Sequence, residues 1–202
     1  MVNVKNYTDK QLIDKVKSLS NFKNIPRDYW LLGVRSNKDA PNTFDDKVYL
    51  FKGETFILVT SCTTNPGTPA LIGGWKKVNK DGAFVLKADY WHHNMWKNGF
   101  HNKMKALVQT GNVAVGYRDN NNNNKAEEIG KLVSGWFGIN FHFNSYQISK
   151  GSLWGKLKGV ISWIVGEWSY GCQVCNNADD YKKIIDYCSN QKTITYCLLN
   201  EF

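Results

Sequence analysis

Long apolar runs are missing from this chain of 202 residues, and no segment approaches the roughly 20 apolar residues that a membrane-spanning helix requires. The first residues, MVNVKNYTDKQLIDKVKSL, also lack the apolar core and the cleavage pattern of a signal peptide. We therefore predict a protein that is made in the cytoplasm, does not insert into membranes and does not leave the cell by the usual secretory route.

Acidic residues are the scarcer charge, with 17 Asp and Glu against 26 Lys and Arg, which gives a formal net charge of +9. Such an excess attracts anionic partners such as nucleic acid, teichoic acid or a cell-wall polymer that carries carboxylates. The basic residues are scattered, however, and no nucleic-acid-binding motif is present, so we predict no specific nucleic-acid partner. A soluble, lysine-rich surface explains the charge equally well.

Cysteine occurs in an odd number, five, so the thiols cannot all pair in a disulfide framework. This count is typical of folding in a reducing compartment. Zinc is one alternative for the four cysteines near the C-terminus, but their spacing is unlike that of two zinc knuckles. A Cys-x-x-Cys redox pair at Cys172 and Cys175 lacks the strand and helix pattern that such pairs require. We interpret four thiols as buried apolar side chains, those of Cys62, Cys175, Cys188 and Cys197.

Long helical patterns are few, whereas β-branched, aromatic and glycine residues are plentiful, which predicts a mainly β fold. A short N-terminal helix is expected at TDKQLIDKVKSLSNF, where Thr8 and Gln11 make a capping box. Its apolar stripe consists of Leu12, Ile13, Val16 and Leu19. A second helix is expected near the C-terminus at ADDYKKIIDYCSN, with its apolar face formed by Tyr181, Ile184, Ile185 and Cys188.

Short strands and turns alternate from YWLLGVRS to SGWFGINFHFNSYQ, and KTITYCLL is predicted as a closing strand. We predict a helical appendage at 1–28 and one domain at 29–202. In YWHHNMW, two histidines and two tryptophans are expected to pack in an exposed loop, with stacking on a glycan as the alternative.

The run RDNNNNN is predicted to form a surface hairpin loop, because asparagine tolerates left-handed backbone. The alternation of Asp119, Asn121 and Asn123 also imitates the start of a calcium-binding loop. Asn124 stands where such a loop has glycine, however, and Gly130 stands where it has its bidentate acid. The hairpin interpretation is therefore preferred.

The segment GEWSYGCQVCNNADD contains the best candidate for chemistry. A thiol enzyme needs a cysteine, a base within hydrogen-bond reach and donors for the oxyanion. Gly171 directly precedes Cys172, so the backbone there can approach a substrate carbonyl. His142, predicted near the end of a strand, is one of four histidines in the chain. Spacing alone does not choose the base among them.

The stretches FGINFH and VGEWSYGCQV resemble the catalytic domain of the L,D-transpeptidase family, and most closely its phage-type relatives. Those relatives have Gly-Ile-Asn-x-His, followed by Trp-Ser-x-Gly-Cys-Gln-Val. Four further stretches fit them: FDD at 44–46, TTNPG at 63–67, GFHNKMKALVQ at 99–109 and VGYRDNN at 115–121. The resemblance covers roughly residues 29–199. It implies a β-sandwich fold and a cysteine enzyme that acts on peptidoglycan stem peptides through a thioester, without a metal or cofactor.

The resemblance also implies roles for particular residues. Cys172 is the expected nucleophile and His142 the expected base. Gly171 and Cys172 are expected to supply the amides of an oxyanion hole, and Ser169 matches the Ser or Thr of the family motif.

Substrate contacts are expected from Tyr170, His101 and Trp168, although His101 has packing against the sheet as its alternative. Tyr170 stands where the family usually has a second histidine, and Val174 differs from the usual Asn or Arg. Cys172 follows His142 by 30 positions, more than is usual, so residues 149–160 are predicted to be an amphipathic insertion over the site. These departures leave open whether water or an amine resolves the thioester.

We therefore expect a peptidoglycan-modifying enzyme of the L,D-transpeptidase or L,D-carboxypeptidase/endopeptidase type. The missing signal peptide favours a phage protein that serves wall penetration or lysis, with stem peptides as substrates and virion or tail proteins as partners. The alternative is a non-catalytic structural or wall-binding tail component on the same fold, because a fold alone does not fix a function.

Overall fold

A mainly β fold is formed by residues 4–38, 40–74, 80–144 and 164–202, which the computed structural model describes. The strands are β1 (Tyr29–Arg35), β2 (Asp46–Lys52), β3 (Thr55–Thr63), β4 (Ala83–Leu86), β5 (Tyr90–His101), β6 (Met104–Gln109), β7 (Ala114–Asp119), β8 (Val133–Gly135), β9 (Phe141–Phe143), β10 (Gln173–Cys175) and β11 (Ile194–Asn200). The helices are α1 (Asp9–Lys17), α2 (Thr68–Leu71) and α3 (Ala178–Cys188). The predicted insertion at 149–160 lies outside the described residues.

The larger of two sheets closes on itself in the order β1-β11-β5-β6-β9-β10-β3-β2, and β4, β7 and β8 form the smaller sheet. Phe84 and Leu86 of the smaller sheet share one buried cluster with Leu31 and Leu198 of the closed sheet, so the two sheets enclose a common core. The predicted fold is confirmed: it is mainly β, consistent with a β-sandwich, with a short N-terminal helix and a helix near the C-terminus.

Helix α1 begins with the predicted capping box. The hydroxyl of Thr8 accepts the backbone N–H of Gln11, and the Gln11 side chain accepts the N–H of Thr8. Its apolar stripe packs against β1, β2, β5 and β11 in a second buried cluster, through Leu12, Ile13 and Val16. The helix therefore covers the face of the closed sheet opposite to the common core.

Helix α3 also follows its sequence pattern. Asn177 caps its first turn by accepting the N–H groups of Asp179 and Asp180. The side chains expected on the apolar face are all buried, namely Tyr181, Ile184, Ile185 and Cys188. The prediction of buried, unpaired thiols is likewise confirmed for Cys62, Cys175, Cys188 and Cys197. None of the helices in the described ranges is both long and apolar enough to cross a bilayer.

Two predictions are wrong. The YWHHNMW segment belongs to β5, and Trp91, His92 and Trp96 are buried because this strand pairs with β11 on one side and β6 on the other. The pattern of SGWFGINFHFNSYQ predicts one strand, but its described part contributes to two short strands, β8 and β9, which belong to different sheets. Gly138 lies between them with a φ of 70°, a left-handed conformation that favours glycine and lets the chain change direction.

The asparagine run connects β7 to β8, which pair in antiparallel fashion, and this confirms the predicted hairpin loop. Side chains of the loop bond to one another: Asn121 and Asn123 donate to the Glu127 carboxylate, and Asp119 accepts the N–H of Glu127. Across the described ranges, no group of three or more His, Cys, Asp or Glu residues is arranged to hold a metal ion.

Replacing Leu12 with Ala should lower the free energy of unfolding by about 2–4 kcal/mol, because removing this buried side chain leaves a cavity beneath α1. Lys10→Ala is the control on the exposed side of the same helix, where the lost ion pair with Asp14 should cost less than about 0.5 kcal/mol. Urea denaturation followed by tryptophan fluorescence measures both. Equal stabilities for the two variants would contradict the packing of α1 on the sheet.

Candidate active site

Strands β9 and β10 run parallel, with His142 beside Val174. Paired residues on neighbouring strands point to the same face, and so do alternate residues along one strand. The face that carries His142 and Val174 therefore continues to Asn140 and Cys172, two positions earlier on each segment. The structure thus brings the predicted nucleophile and the predicted base to one face, on the side away from the common core.

The Cys172 thiol lies between backbone groups. The N–H of Asn140 donates to Sγ at 3.5 Å, and Sγ is 3.5 Å from the carbonyl oxygen of Gly138, to which the thiol donates. The residue keeps part of its surface exposed, but the sulfur itself is largely desolvated. Burial raises the pKa of Cys172 to about 11, although the Asn140 N–H acts in the opposite direction. At pH 7 the resting residue is therefore a neutral thiol.

His142 is fully buried on β9, and one ring nitrogen is bound to the backbone. Nδ1 lies 2.9 Å from the carbonyl oxygen of Phe143 and donates to it when Nδ1 carries the proton. In that tautomer the lone pair is on Nε2, for which the described part of the chain provides no partner at hydrogen-bond geometry.

Burial lowers the pKa of His142 to about 4, while the Phe143 carbonyl favours the charged ring. The nearby Trp168 backbone also favours the charged form, although it lies outside hydrogen-bond geometry with Nε2. At pH 7 His142 is therefore a neutral imidazole with a lone pair that can accept a proton.

No hydrogen bond joins Cys172 to His142 within the described ranges. Cys172 lies two positions before Val174, the residue that pairs with His142. Strand geometry therefore gives a separation of roughly 8 Å between the Cα atoms of Cys172 and His142. Side chains can span that distance, but the Cys172 thiol first has to rotate away from the Gly138 carbonyl.

Asn140 and His101 complete the polar part of this face. The side-chain oxygen of Asn140 accepts the N–H of Gln109 at 3.0 Å, and its Nδ2 lies 3.1 Å from Nδ1 of His101. The His101 ring stacks on that of His142, with 4.7 Å between the ring centroids. Sequence reasoning gave Asn140 no role, although its position two residues before His142 in FGINFH was the available signal.

Ser169 is fully buried and organises the loop before Cys172. Its Oγ lies 2.9 Å from the carbonyl oxygen of Asn65 and 2.8 Å from that of Cys172, and it accepts the N–H of Gly171 at 3.2 Å. Of the two amides predicted for an oxyanion hole, that of Gly171 is therefore already bonded. Among the described residues, the Cys172 N–H has no hydrogen-bond acceptor, so this amide is the candidate donor for an oxyanion.

Gln173, which sequence reasoning also missed, supports the same loop from the core side. Its Nε2 donates to the carbonyls of Thr64 and Gly171, each at 3.3 Å, and its Oε1 accepts the hydroxyl of Tyr196 at 2.8 Å. That hydroxyl occupies the space that a side chain at Gly33 would need, so β1 requires a glycine there. The GCQV segment is therefore fixed to β11 as well as to β9.

The remaining predicted substrate contacts lie in different surroundings. Trp168 packs in a small apolar cluster that also contacts Cys172, so it borders the candidate site. Tyr170 packs instead against Ala70 of α2 and Ala83 of β4. The Tyr170 side chain is therefore part of a separate apolar cluster. The third predicted contact, His101, lies against the candidate base His142.

No protein-family model, no curated protein and no solved structure matches the chain. The resemblance of its motifs to the L,D-transpeptidase family therefore stays a prediction, and the geometry of the site is what bears on the function.

Gly171→Ala should lower the free energy of unfolding by about 1–3 kcal/mol. Gly171 has a φ of 137°, and a Cβ there would lie 2.6 Å from the carbonyl oxygen of Phe84, so both the backbone and the neighbouring strand resist a side chain. Gly111→Ala is the matched control, because a Cβ at that position meets no atom within 4 Å. Chemical denaturation measures both variants, and equal stabilities would contradict the described loop.

The rate at which iodoacetamide modifies Cys172 should rise about tenfold per pH unit from neutral to about pH 10, because the thiolate forms only as the pH approaches the raised pKa. Mass spectrometry of the peptide that contains Cys172 measures this rate separately from the other thiols. Cys188, whose pKa burial raises to about 12, is the internal control and should react more slowly throughout. A plateau below about pH 8 would contradict the neutral resting thiol.

Proposed function

We propose that the chain is a cysteine-dependent enzyme that modifies peptidoglycan stem peptides, as an L,D-transpeptidase or as an L,D-carboxypeptidase or endopeptidase. The observation that carries the proposal is the shared face of β9 and β10, which holds the Cys172 thiol and an imidazole whose Nε2 can accept its proton. The net charge of +9 also suits a wall polymer that carries carboxylates.

In the first half of the proposed reaction, the Cys172 thiol turns from Gly138 toward His142. Nε2 takes the thiol proton as the sulfur attacks the carbonyl carbon of the residue before a terminal D-amino acid. The oxyanion that forms accepts the N–H of Cys172. The carbon–nitrogen bond then breaks, His142 returns the proton to the departing amine, and a thioester on Cys172 remains.

In the second half, an acceptor attacks the thioester and passes a proton to His142, which protonates the departing sulfur. Water as the acceptor gives a shortened peptide, and an amine gives a new peptide bond. The thiol and imidazole return to their neutral resting forms, in agreement with the direction in which burial moves both pKa values.

A second candidate is a non-catalytic structural or wall-binding tail component. Its support is that the Cys172 thiol hydrogen-bonds to backbone groups, and within the described ranges not to His142. Reactive thiols usually have a lowered pKa, whereas that of Cys172 is raised.

Incubation with purified muropeptides, followed by mass analysis, tests the enzyme directly. The wild-type chain should remove a terminal residue or form a new cross-link. Cys172→Ala should abolish the change, and His142→Gln should slow it about 10²–10⁴-fold through loss of the general base. Cys188→Ala, a cysteine substitution on α3, should keep the activity.

Two outcomes separate the candidates. Processing that depends on Cys172 but not on Cys188 supports the enzyme. If the wild-type chain leaves every muropeptide unchanged, and wild type and Cys172→Ala bind equally to purified cell walls, the enzyme proposal fails and the wall-binding alternative replaces it.

A further inference from the structure

A buried base works only if its ring is held in one orientation, because misplacement by about 1 Å can cost about 10²-fold in rate. Nδ1 of His142 is hydrogen-bonded to the carbonyl of the adjacent Phe143, and the Trp168 backbone is the second backbone group that acts on the ring. That bond selects the tautomer only while the ring stays in this orientation, and the groups that pack on the faces of the ring have to fix its plane.

His101 supplies such a group. It is the last residue of β5, which β6 separates from β9 in the closed sheet. Its ring lies on that of His142 with 4.7 Å between the centroids and 27° between the planes. A stacked ring at this distance restricts rotation of the buried imidazole about its side-chain bonds.

Asn140 in turn fixes the His101 ring. Its side-chain oxygen accepts the N–H of Gln109, so the amide group points its Nδ2 at Nδ1 of His101. In this bond Nδ1 of His101 is therefore the acceptor. The backbone N–H of the same Asn140 contacts the Cys172 sulfur, so one residue links the thiol to the stacked rings.

We propose that His101 is a positioning residue of this site, which holds the His142 ring in the orientation that takes the Cys172 proton. This inference rests on the proposed function, since it assigns a task within the same reaction. Tyr170, which stands at the position of the family's second histidine, packs against Ala70 and Ala83. The second histidine of the site comes from β5.

The first test is ring nitrogen NMR on the full chain labelled with ¹⁵N-histidine, which needs neither substrate nor a reactive thiol. In the wild type, His142 should show one tautomer with its proton on Nδ1. His101→Ala should give a mixture of tautomers. His101→Phe, which keeps a stacked ring, should preserve the single tautomer. His93→Ala is the control, because it removes a histidine ring that stacks on Trp91 rather than on His142.

The direction of the His142 pKa change adds a second spectroscopic readout. His101 is the titratable neighbour whose charge acts on His142, and it lowers the pKa of that ring. Both His101 substitutions should therefore raise the pKa of His142 above its wild-type value. A His142 tautomer and pKa that stay at their wild-type values in His101→Ala would overturn the proposal.

Muropeptide kinetics provide the third readout. His101→Ala should lower kcat about tenfold with KM within about twofold of the wild type, and His101→Phe should recover most of the rate. A raised KM with an unchanged kcat would overturn the proposal and make His101 a substrate contact. If the wild type processes no muropeptide, the proposed function fails by that result alone, and the NMR measurements decide the role of His101.

Discussion

Strands β9 and β10 are short, and the candidate site depends on their parallel register. A slip of one residue would exchange the two faces, so that Cys172 would turn into the core and Gln173 would turn out of it. The core opposes such a slip, because Phe141 and Phe143 fill it from β9 and Cys175 fills it from β10. Apolar packing on one face thereby fixes the positions of the polar side chains on the other.

Buried hydrogen bonds then restrict what can move. The loop before Cys172 is bound through Ser169 and Gly171 on one side and through Gln173 on the other. Removing one partner from a buried polar network leaves the others unsatisfied, so the network holds the backbone in one conformation. Several hydrogen bonds therefore hold the loop that presents the thiol, and the rotation that the proposed chemistry needs is one of the Cys172 side chain.

The sequence predicts those features that depend on neighbours along the chain. Helix α1 follows from an apolar stripe and a capping box, and helix α3 follows from its apolar face. The buried polar contacts could not be predicted, because their partners meet only when the sheet closes: Asn140 bonds to Gln109 across 31 positions and Gln173 bonds to Tyr196 across 23. Strand β5 was missed because its histidine and asparagine residues obscure the alternation of a strand that is buried between two neighbours.

Burial raises the pKa of the Cys172 thiol and lowers that of the His142 imidazole, so both changes oppose a resting thiolate–imidazolium pair. For the proposed enzyme, the charged pair would then form only while a substrate carbonyl develops negative charge beside the Cys172 N–H. A resting thiol of this kind resists oxidation and alkylation, which follow thiolate character. In the proposed enzyme, the same desolvation that slows activation of the Cys172 thiol would therefore protect it, and substrate binding would have to supply the charge and the exclusion of water that make proton transfer to His142 favourable.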